Sequence, residues 1–313
     1  TPSETTVTVQ CESHEEPALA YRITRRDRSL QKALRRIARE QIDAALDKLT
    51  APGADPDDAV HQIRKHCKKL RGLLRLVRPG FRDFARENAA IRDLAQTLSG
   101  LRDTGVMVET HDTLLTGATD AGRFDPMRAQ LVAHAPANRG PLPKALQAEL
   151  KAQLEALRAR AVTWTLKGKD KAILRKGLGK TWSRADAAFR AARADPSAQN
   201  MHEWRKRVKY NWYHSRLLRD IRKPRMQPHR EDAKRLGDLL GTHHDAAVYL
   251  DHLAGAAPGA IAPAELKELT SRATAHKARL ERRAFALGAR MFNEKPAKLP
   301  ERWAGWWRAW RRG

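Results

Sequence analysis

Residues 60–79 read VHQIRKHCKKLRGLLRLVRP, and residues 201–220 read MHEWRKRVKYNWYHSRLLRD. The second stretch repeats the plan of the first. His61 answers to His202, Arg64 to Arg205, Lys65 to Lys206, Lys68 to Lys209 and Arg75 to Arg216, all at the one offset that carries 61 to 202. On a helix turning about 100° per residue, His61, Arg64, Lys68, Arg71, Arg75 and Arg78 recur every three or four positions and form one stripe. Ile63, Cys67, Leu70, Leu74 and Val77 form a second stripe, about 110° round the cylinder. One face packs into a bundle and a neighbouring face presents a ladder of cations. In the second copy Trp212 stands at the position of Arg71, and Tyr210 at that of Lys69.

Like charges at these spacings destabilise an isolated helix by roughly 0.2–0.5 kcal/mol per pair. Residues 59–81 contain no Asp or Glu to offset them. A solvated structural face mixes signs, so the ladder points to an external anion. Composition agrees: 61 Lys and Arg stand against 36 Asp and Glu, a formal charge of +25. A polyanion would relieve that self-repulsion. Nucleic acid, an anionic membrane surface and a polyphosphate are the candidate partners. Arg offers phosphate a planar fork and Lys a mobile point charge.

The chain is 41% hydrophobic, which excludes a disordered basic tail. No apolar run approaches the ~20 residues that span a bilayer, and no secretory segment is read. Two cysteines, Cys11 and Cys67, imply no disulfide framework and fit a reducing cytosol. A cytoplasmic protein is expected.

Periodicity and breakers predict helices from Asp27 to 50, from 57 to Pro79, from Phe81 to about 100, from Asp103 to Leu115, near 127–133 and over 144–166. In the second half they are predicted at 170–193, 198–221, 228–254 and 263–290. Strand signals are nearly absent. The repeat extends outward: LAQTLSGLRDTGVM (94–107) matches LGDLLGTHHDAAVY (236–249), pairing Asp103 with Asp245 and setting Arg102 where the second copy has His244. LQKALRR (30–36) matches LRKGLGK (174–180), pairing Lys32 with Lys176 and Arg36 with Lys180. The expected fold is all-α, two four-helix bundles from an internal repeat. The expected divisions are a flexible lead-in (1–24), a first bundle (25–118), a linker region with a connecting helix (119–168), a second bundle (169–292) and a Trp/Arg-rich tail (293–313) that stacks on bases, packs against a partner or membrane, or, as is commoner for such segments, folds back on its own domain.

Chemistry is sparse. His61 and His202 read either as phosphate hydrogen-bond donors or as histidines orienting a neighbour. His243 and His244 diverge by about 100° on a helix, and the first copy has Leu101-Arg102 there. No metal site is expected. Asp103 and Asp245 read as structural partners of Arg or His. There is no P-loop, dinucleotide fingerprint, nucleophile elbow or carboxylate cluster, so neither a cofactor nor an enzyme is expected.

HQIRKHCK and HEWRKRVK, two copies of His-x-x-Arg-x-x-x-Lys, together with LGDLLGTHHDAAVYL, resemble the CHAD (conserved histidine α-helical domain) family over roughly residues 25–290. The resemblance implies two four-helix bundles related by pseudo-twofold symmetry, with the basic helices facing a central groove or pore. Family members bind inorganic polyphosphate and associate with polyphosphate granules. No Glu-x-Glu-x-Lys pattern marks a fused CYTH domain in residues 1–25, so a stand-alone protein is expected. Carried over by position, the ligand-facing set is His61, Arg64, Lys68, Lys69, Arg71 and Arg75 in the first copy, and His202, Arg205, Lys206, Lys209, Tyr213 and Arg216 in the second. Lys65, Arg102 and His244 belong with them, and Lys32, Arg36, Arg175, Lys176 and Lys180 are additions from the preceding helices. The aromatic replacements in the second copy imply a groove more cationic on its first-half side. The expected function is non-catalytic binding of inorganic polyphosphate. The alternative is an RNA- or DNA-binding protein using the same groove, since Trp204, Trp212 and Tyr213 stand among the cations of the second copy.

Overall fold

The helix α1 (Leu30–Thr50) starts at Ser29, whose hydroxyl accepts the Lys32 N–H at 3.1 Å, a cap worth about 1 kcal/mol. The Leu30 N–H donates to Asp170, at the start of a helix in the other half, at 2.8 Å. α2 (Pro56–Val77) carries the first ladder. Asp55 caps it by accepting the Asp57 and Asp58 N–H groups, with Pro56 in the first turn. Its apolar stripe is buried as the spacing required: Ile63, Cys67, Leu70, Leu74 and Val77 are all inside. Burial pushes the Cys67 thiol up to about 12, which leaves it an inert small hydrophobe.

This computed structural model describes residues 21–53, 55–98, 105–134, 142–256 and 261–313. Among them the chain forms eleven α-helices and no strand. α3 (Phe84–Thr97) and α6 (Lys144–Ala161) complete a first group, in which α1 and α3 each pack against both α2 and α6. Glu87, buried on α3, accepts from Arg160 of α6 at 3.0 Å. The second group runs in chain order through α7 (Asp170–Ala194), α8 (Ala198–Leu217), α9 (Lys223–Ala254) and α10 (Pro263–Met291). α10 closes it at Gly288, which abuts Phe189 of α7 and Trp204 of α8. Trp204 is fully buried and stacks on Phe285, ring centroids 5.5 Å apart.

α4 (Gly105–Leu115) and α5 (Asp125–His134) belong to a smaller core with the far ends of α9 and α10. There Met107, Phe124 and Met127 meet Tyr249, Leu253 and Leu269. α11 (Lys298–Arg312) folds back on α7 with Leu299, Trp303 and Trp307 buried. The main core is continuous from Tyr21 to Trp307 and draws on both groups.

α2 is what joins the halves, because it also packs on α7 and α8. The approach is close at two glycines. A methyl on Gly177 of α7 would overlap the Leu76 carbonyl oxygen, and one on Gly72 would meet Tyr213 Cβ at 2.9 Å. Gly72 and Tyr213 hold the same position in the two copies, so the basic helices cross at matching residues. His214 Nε2–H donates to the Gly72 carbonyl at 3.0 Å in full burial.

Two of the boundaries that differ from the sequence expectation have a visible cause. α9 begins at Lys223, and Pro228 lies inside its exposed second turn. The carbonyl left unpaired there is that of Pro224, at the exposed helix start, so solvent replaces the lost bond. α6 ends at Ala161, and the following segment turns so that the Lys167 N–H donates to the Gly80 carbonyl at 2.8 Å. Of the lead-in expected over 1–24, residues up to 20 lie outside the described residues, as do Cys11, Arg102 and Asp103, whereas Tyr21 and Ile23 are buried in the main core and the Ile23 N–H donates to the Leu217 carbonyl at 2.9 Å.

Candidate anion-binding cleft

Where the end of α2 meets α7 and α8, Arg75, Arg78, Lys180, Thr181, Arg184, Arg207 and Tyr210 line a narrow cleft of about 20 Å³. α2 supplies Arg75, and Arg78 follows it at the C-cap. α7 supplies Lys180 and Arg184, four residues apart on one face, and α8 supplies Arg207 and Tyr210, three apart.

What holds these cations matters more than their number. Arg75 donates to the Asn88 amide oxygen at 2.7 Å and to the Arg71 carbonyl at 3.2 Å, and lies 4.0 Å from the Tyr210 ring centroid. Arg71 donates to the same Asn88 oxygen at 3.4 Å. Arg78 lies 4.6 Å from the Phe84 ring. Amide, carbonyl and ring faces orient a guanidinium without cancelling its charge. Among the described residues no ion pair reaches Arg75, Arg78, Lys180 or Arg184. Glu203 is the one acid at the margin, and it binds Arg207 and Lys206.

The charges press on one another. Burial draws the Arg75 guanidinium down to about 10; Tyr210 opposes this, and Arg71, Arg207 and Arg78 add to it. Arg78, then desolvation and Arg184, lower Lys180. Burial, Arg207 and Arg78 lower Arg184, against Glu203. An anion in the cleft would remove this penalty.

Across the helix crossing the counterpart is neutralised from within. Arg36, which the sequence match pairs with Lys180, binds Asp27 at 2.6 Å and Glu40 at 2.9 Å. Burial works against the Asp27 carboxylate, but Arg36 and the Thr24 N–H hold it below its ordinary value. Arg22 pairs with Asp220 at 3.2 Å. Arg216 lies over Trp212 at 5.0 Å and over Tyr21 at 5.3 Å.

Along α8 the second ladder crosses α9. Arg205 lies over Gly241, and the Lys209 stem over Gly237. Glycines four apart open a lane in which these long side chains run. Lys209 reaches Asp238 at 3.1 Å, and burial outweighs that partner in lowering its pKa. The His202 and His244 rings meet at 5.1 Å. Burial lowers His202, with His244, Lys206 and Arg205 adding to the effect. His243 turns instead towards Glu281 of α10, 3.5 Å away, and burial holds it neutral with a pKa of about 4. The adjacent imidazoles diverge, as helical geometry requires.

The family model for the CHAD domain matches residues 28–254. The chain belongs to the CHAD family. The crystal structure of the CHAD domain from the plant Ricinus communis superposes with a TM-score of 0.63 at 20% identity, over 90% of this chain and 96% of that one. At that identity the likeness speaks for the fold. No curated protein matches the chain. The CHAD match ends with α9, so α10 and α11 lie beyond it.

In this CHAD fold the ligand-facing set expected from sequence separates into groups. Arg75 and Lys180 line the cleft. His61, Arg64, Lys65 and Arg71 are half-buried along α2 and Lys68 is exposed, with Arg64 donating to the Leu98 carbonyl at 3.0 Å. Lys69 does not face outward: it is fully buried, and the Tyr21 hydroxyl donates to its carbonyl at 2.7 Å. Tyr213 is buried at the crossing. Arg36 is held by its own acids. Lys206 is exposed, and His202, Arg205, Lys209, Arg216 and His244 are half-buried. Lys32 and Lys176 are exposed, and Arg175 turns to Glu301 of α11 at 3.9 Å.

Three of the cleft's cations lay outside the expected set. Arg78 belongs to the ladder's spacing and Arg184 follows Lys180 by four, signals available in the sequence. Arg207 had none, because it answers to His66, which is buried against Gln41. The cleft takes two cations from the first half and three from the second. The sequence expectation of a groove more cationic on its first-half side is not met in this cleft. Among the described residues there is no grouping of His, Cys, Asp and Glu suited to a metal, and no helix is long and apolar enough to cross a membrane.

Proposed function

We propose that this CHAD chain binds inorganic polyphosphate, without catalysis, in the cleft and along the ladders that lead to it. One observation carries the reading: Arg75 and Arg78 are oriented by neutral groups, beside Lys180 and Arg184 that no acid pairs, so the cleft keeps its charge for a ligand. A flexible chain of phosphates suits closely spaced cations from three helices. A nucleic acid suits them less. The Tyr210 face is covered by Arg75, and Trp212 lies beside Lys209 and Arg216, whereas binding of unpaired bases leans on free aromatic faces. Residence in the cytoplasm and association with polyphosphate granules follow as part of the proposal.

The test is titration with long-chain polyphosphate at low and rising salt. Binding should weaken steeply with salt, as counterion release dictates. Reversing Arg64 and Arg205 together, or Arg75 and Arg184 together, to Glu should weaken it far more than reversing Arg282 and Arg283. No binding at low salt refutes the proposal. Displacement of polyphosphate by RNA of equal charge would favour the nucleic-acid reading. Phosphate release in the presence of Mg²⁺ or Mn²⁺ would make the protein an enzyme.

A further inference from the structure

The C-terminal helix α11 has no part in the cleft, and the CHAD match stops well before it. Residues 298–313 carry five cations and one acid. The inner face is fastened: Leu299, Pro300, Trp303, Ala304 and Trp307 are buried. The outer face is therefore presented in a fixed orientation, with Lys298, Arg308 and Arg312 exposed. Arg302 is bound by Glu294 at 2.6 Å, and the one acid of the helix, Glu301, is turned to Arg175. The carboxylates nearby are thus already occupied.

The path of the helix matters. Pro300 packs on Gly179 at 3.7 Å, and Gly179 immediately precedes Lys180 of the cleft. From there α11 runs back along α7. At its end the Gly313 carbonyl accepts from Arg25 at 2.6 Å, beside the start of α1. On α7 itself Lys176, Lys180 and Arg184 are exposed at four-residue spacing. At 1.5 Å per residue, Lys176 to Arg184 spans roughly 12 Å and Lys298 to Arg312 roughly 21 Å. The cleft is narrow, about 20 Å³, so its cations meet only a short run of phosphates along the rim.

We propose that α7 and α11 extend the cleft into an exposed cationic track engaged only by long polyphosphate, so that the protein selects long chains over short ones. This rests on the polyphosphate reading above. A chain already held in the cleft meets the track at high effective concentration, and each phosphate neutralised on it releases a further counterion. A ligand confined to the cleft gains neither.

The experiment compares wild type with the Lys298→Ala, Arg308→Ala, Arg312→Ala triple variant, using tripolyphosphate and long-chain polyphosphate as probes. All three positions are exposed on helices, where alanine preserves the fold, and circular dichroism checks it. The expected result is an unchanged Kd for tripolyphosphate, an approximately tenfold weaker Kd for the long chain, and a log–log salt slope for the long chain shallower by up to about three. Unchanged long-chain binding overturns the proposal. So does parallel weakening of both probes, which would place the three residues in the cleft's own binding. Wild type that binds neither probe would instead refute the polyphosphate reading, and this extension with it.

Discussion

Replacing Arg75 with methionine should stabilise the free protein and weaken its hold on a polyanion, both through one charge. Arg75 is drawn down to about 10 by burial first, with Arg71, Arg207 and Arg78 adding like charge and Tyr210 opposing. Against an ordinary arginine value of ~12.5, and at about 1.36 kcal/mol per pKa unit, holding the charge there costs at most roughly 3 kcal/mol. Methionine keeps the packing of the stem. It gives up the contact with Tyr210, worth roughly 0.5–2 kcal/mol, and leaves Asn88 to Arg71. The balance is a gain of roughly 1–2 kcal/mol, read as a rise in Tm of roughly 2–4 °C per kcal/mol. Polyphosphate binding should weaken about tenfold, with a log–log salt slope shallower by about one. Added polyphosphate should raise the Tm of wild type more than that of the variant, because only binding to the folded state shifts the midpoint. The assays are thermal unfolding and a salt series of binding isotherms. A variant that melts lower than wild type and binds as well refutes the reasoning, since the charge would then be neither strained nor aimed at a ligand.

The Tyr210 ring holds Arg75 in place, so Tyr210→Phe should bind polyphosphate like wild type and Tyr210→Ala about threefold to tenfold more weakly; equal loss in both would assign the role to the hydroxyl. Gly177→Ala should destabilise by more than about 3 kcal/mol, because its methyl would overlap the Leu76 carbonyl and neither backbone can yield easily; a melting curve within a degree of wild type would refute that packing. Acid should unfold the protein through its buried histidines. Burial holds His214 at about 3 and His229 and His243 at about 4, below an unfolded value of ~6.5. Unfolding therefore takes up protons, and stability present above pH ~6.5 is lost as pH falls towards those values, by roughly 2 kcal/mol per histidine at pH 5. His214→Asn should flatten the urea-unfolding profile between pH 7 and pH 5 (both about the range set by the histidine value); an unchanged slope would refute the contribution of His214.

The apolar stripe of α2 and the cap at Asp55 were legible because a 3.6-residue period and an N-cap are local properties. Ten of the eleven helices among the described residues follow the expected order, and the tail, for which no helix was predicted, forms α11 and folds back on its tryptophans. The errors fell where a local signal was ambiguous. Pro228 read as a helix start because its cost depends on whether the carbonyl four residues earlier meets solvent.

The doubled ladder, the missing acids between 59 and 81 and the net charge were legible in the sequence, and they carried the expectation of an anionic partner. Which cations meet was decided only by the tertiary structure. The crossing at Gly72, Tyr213 and Gly177 brings Arg75 and Arg78 to Lys180, Arg184 and Arg207, and buries Lys69 although it sits within the same basic run. It also sets Asn88 and Tyr210 under Arg75, and Asp27 and Glu40 against Arg36. The physical reason is range. Helical periodicity reports neighbours three and four residues away, whereas whether a charge is kept or cancelled depends on partners tens to hundreds of residues distant, which packing alone brings together.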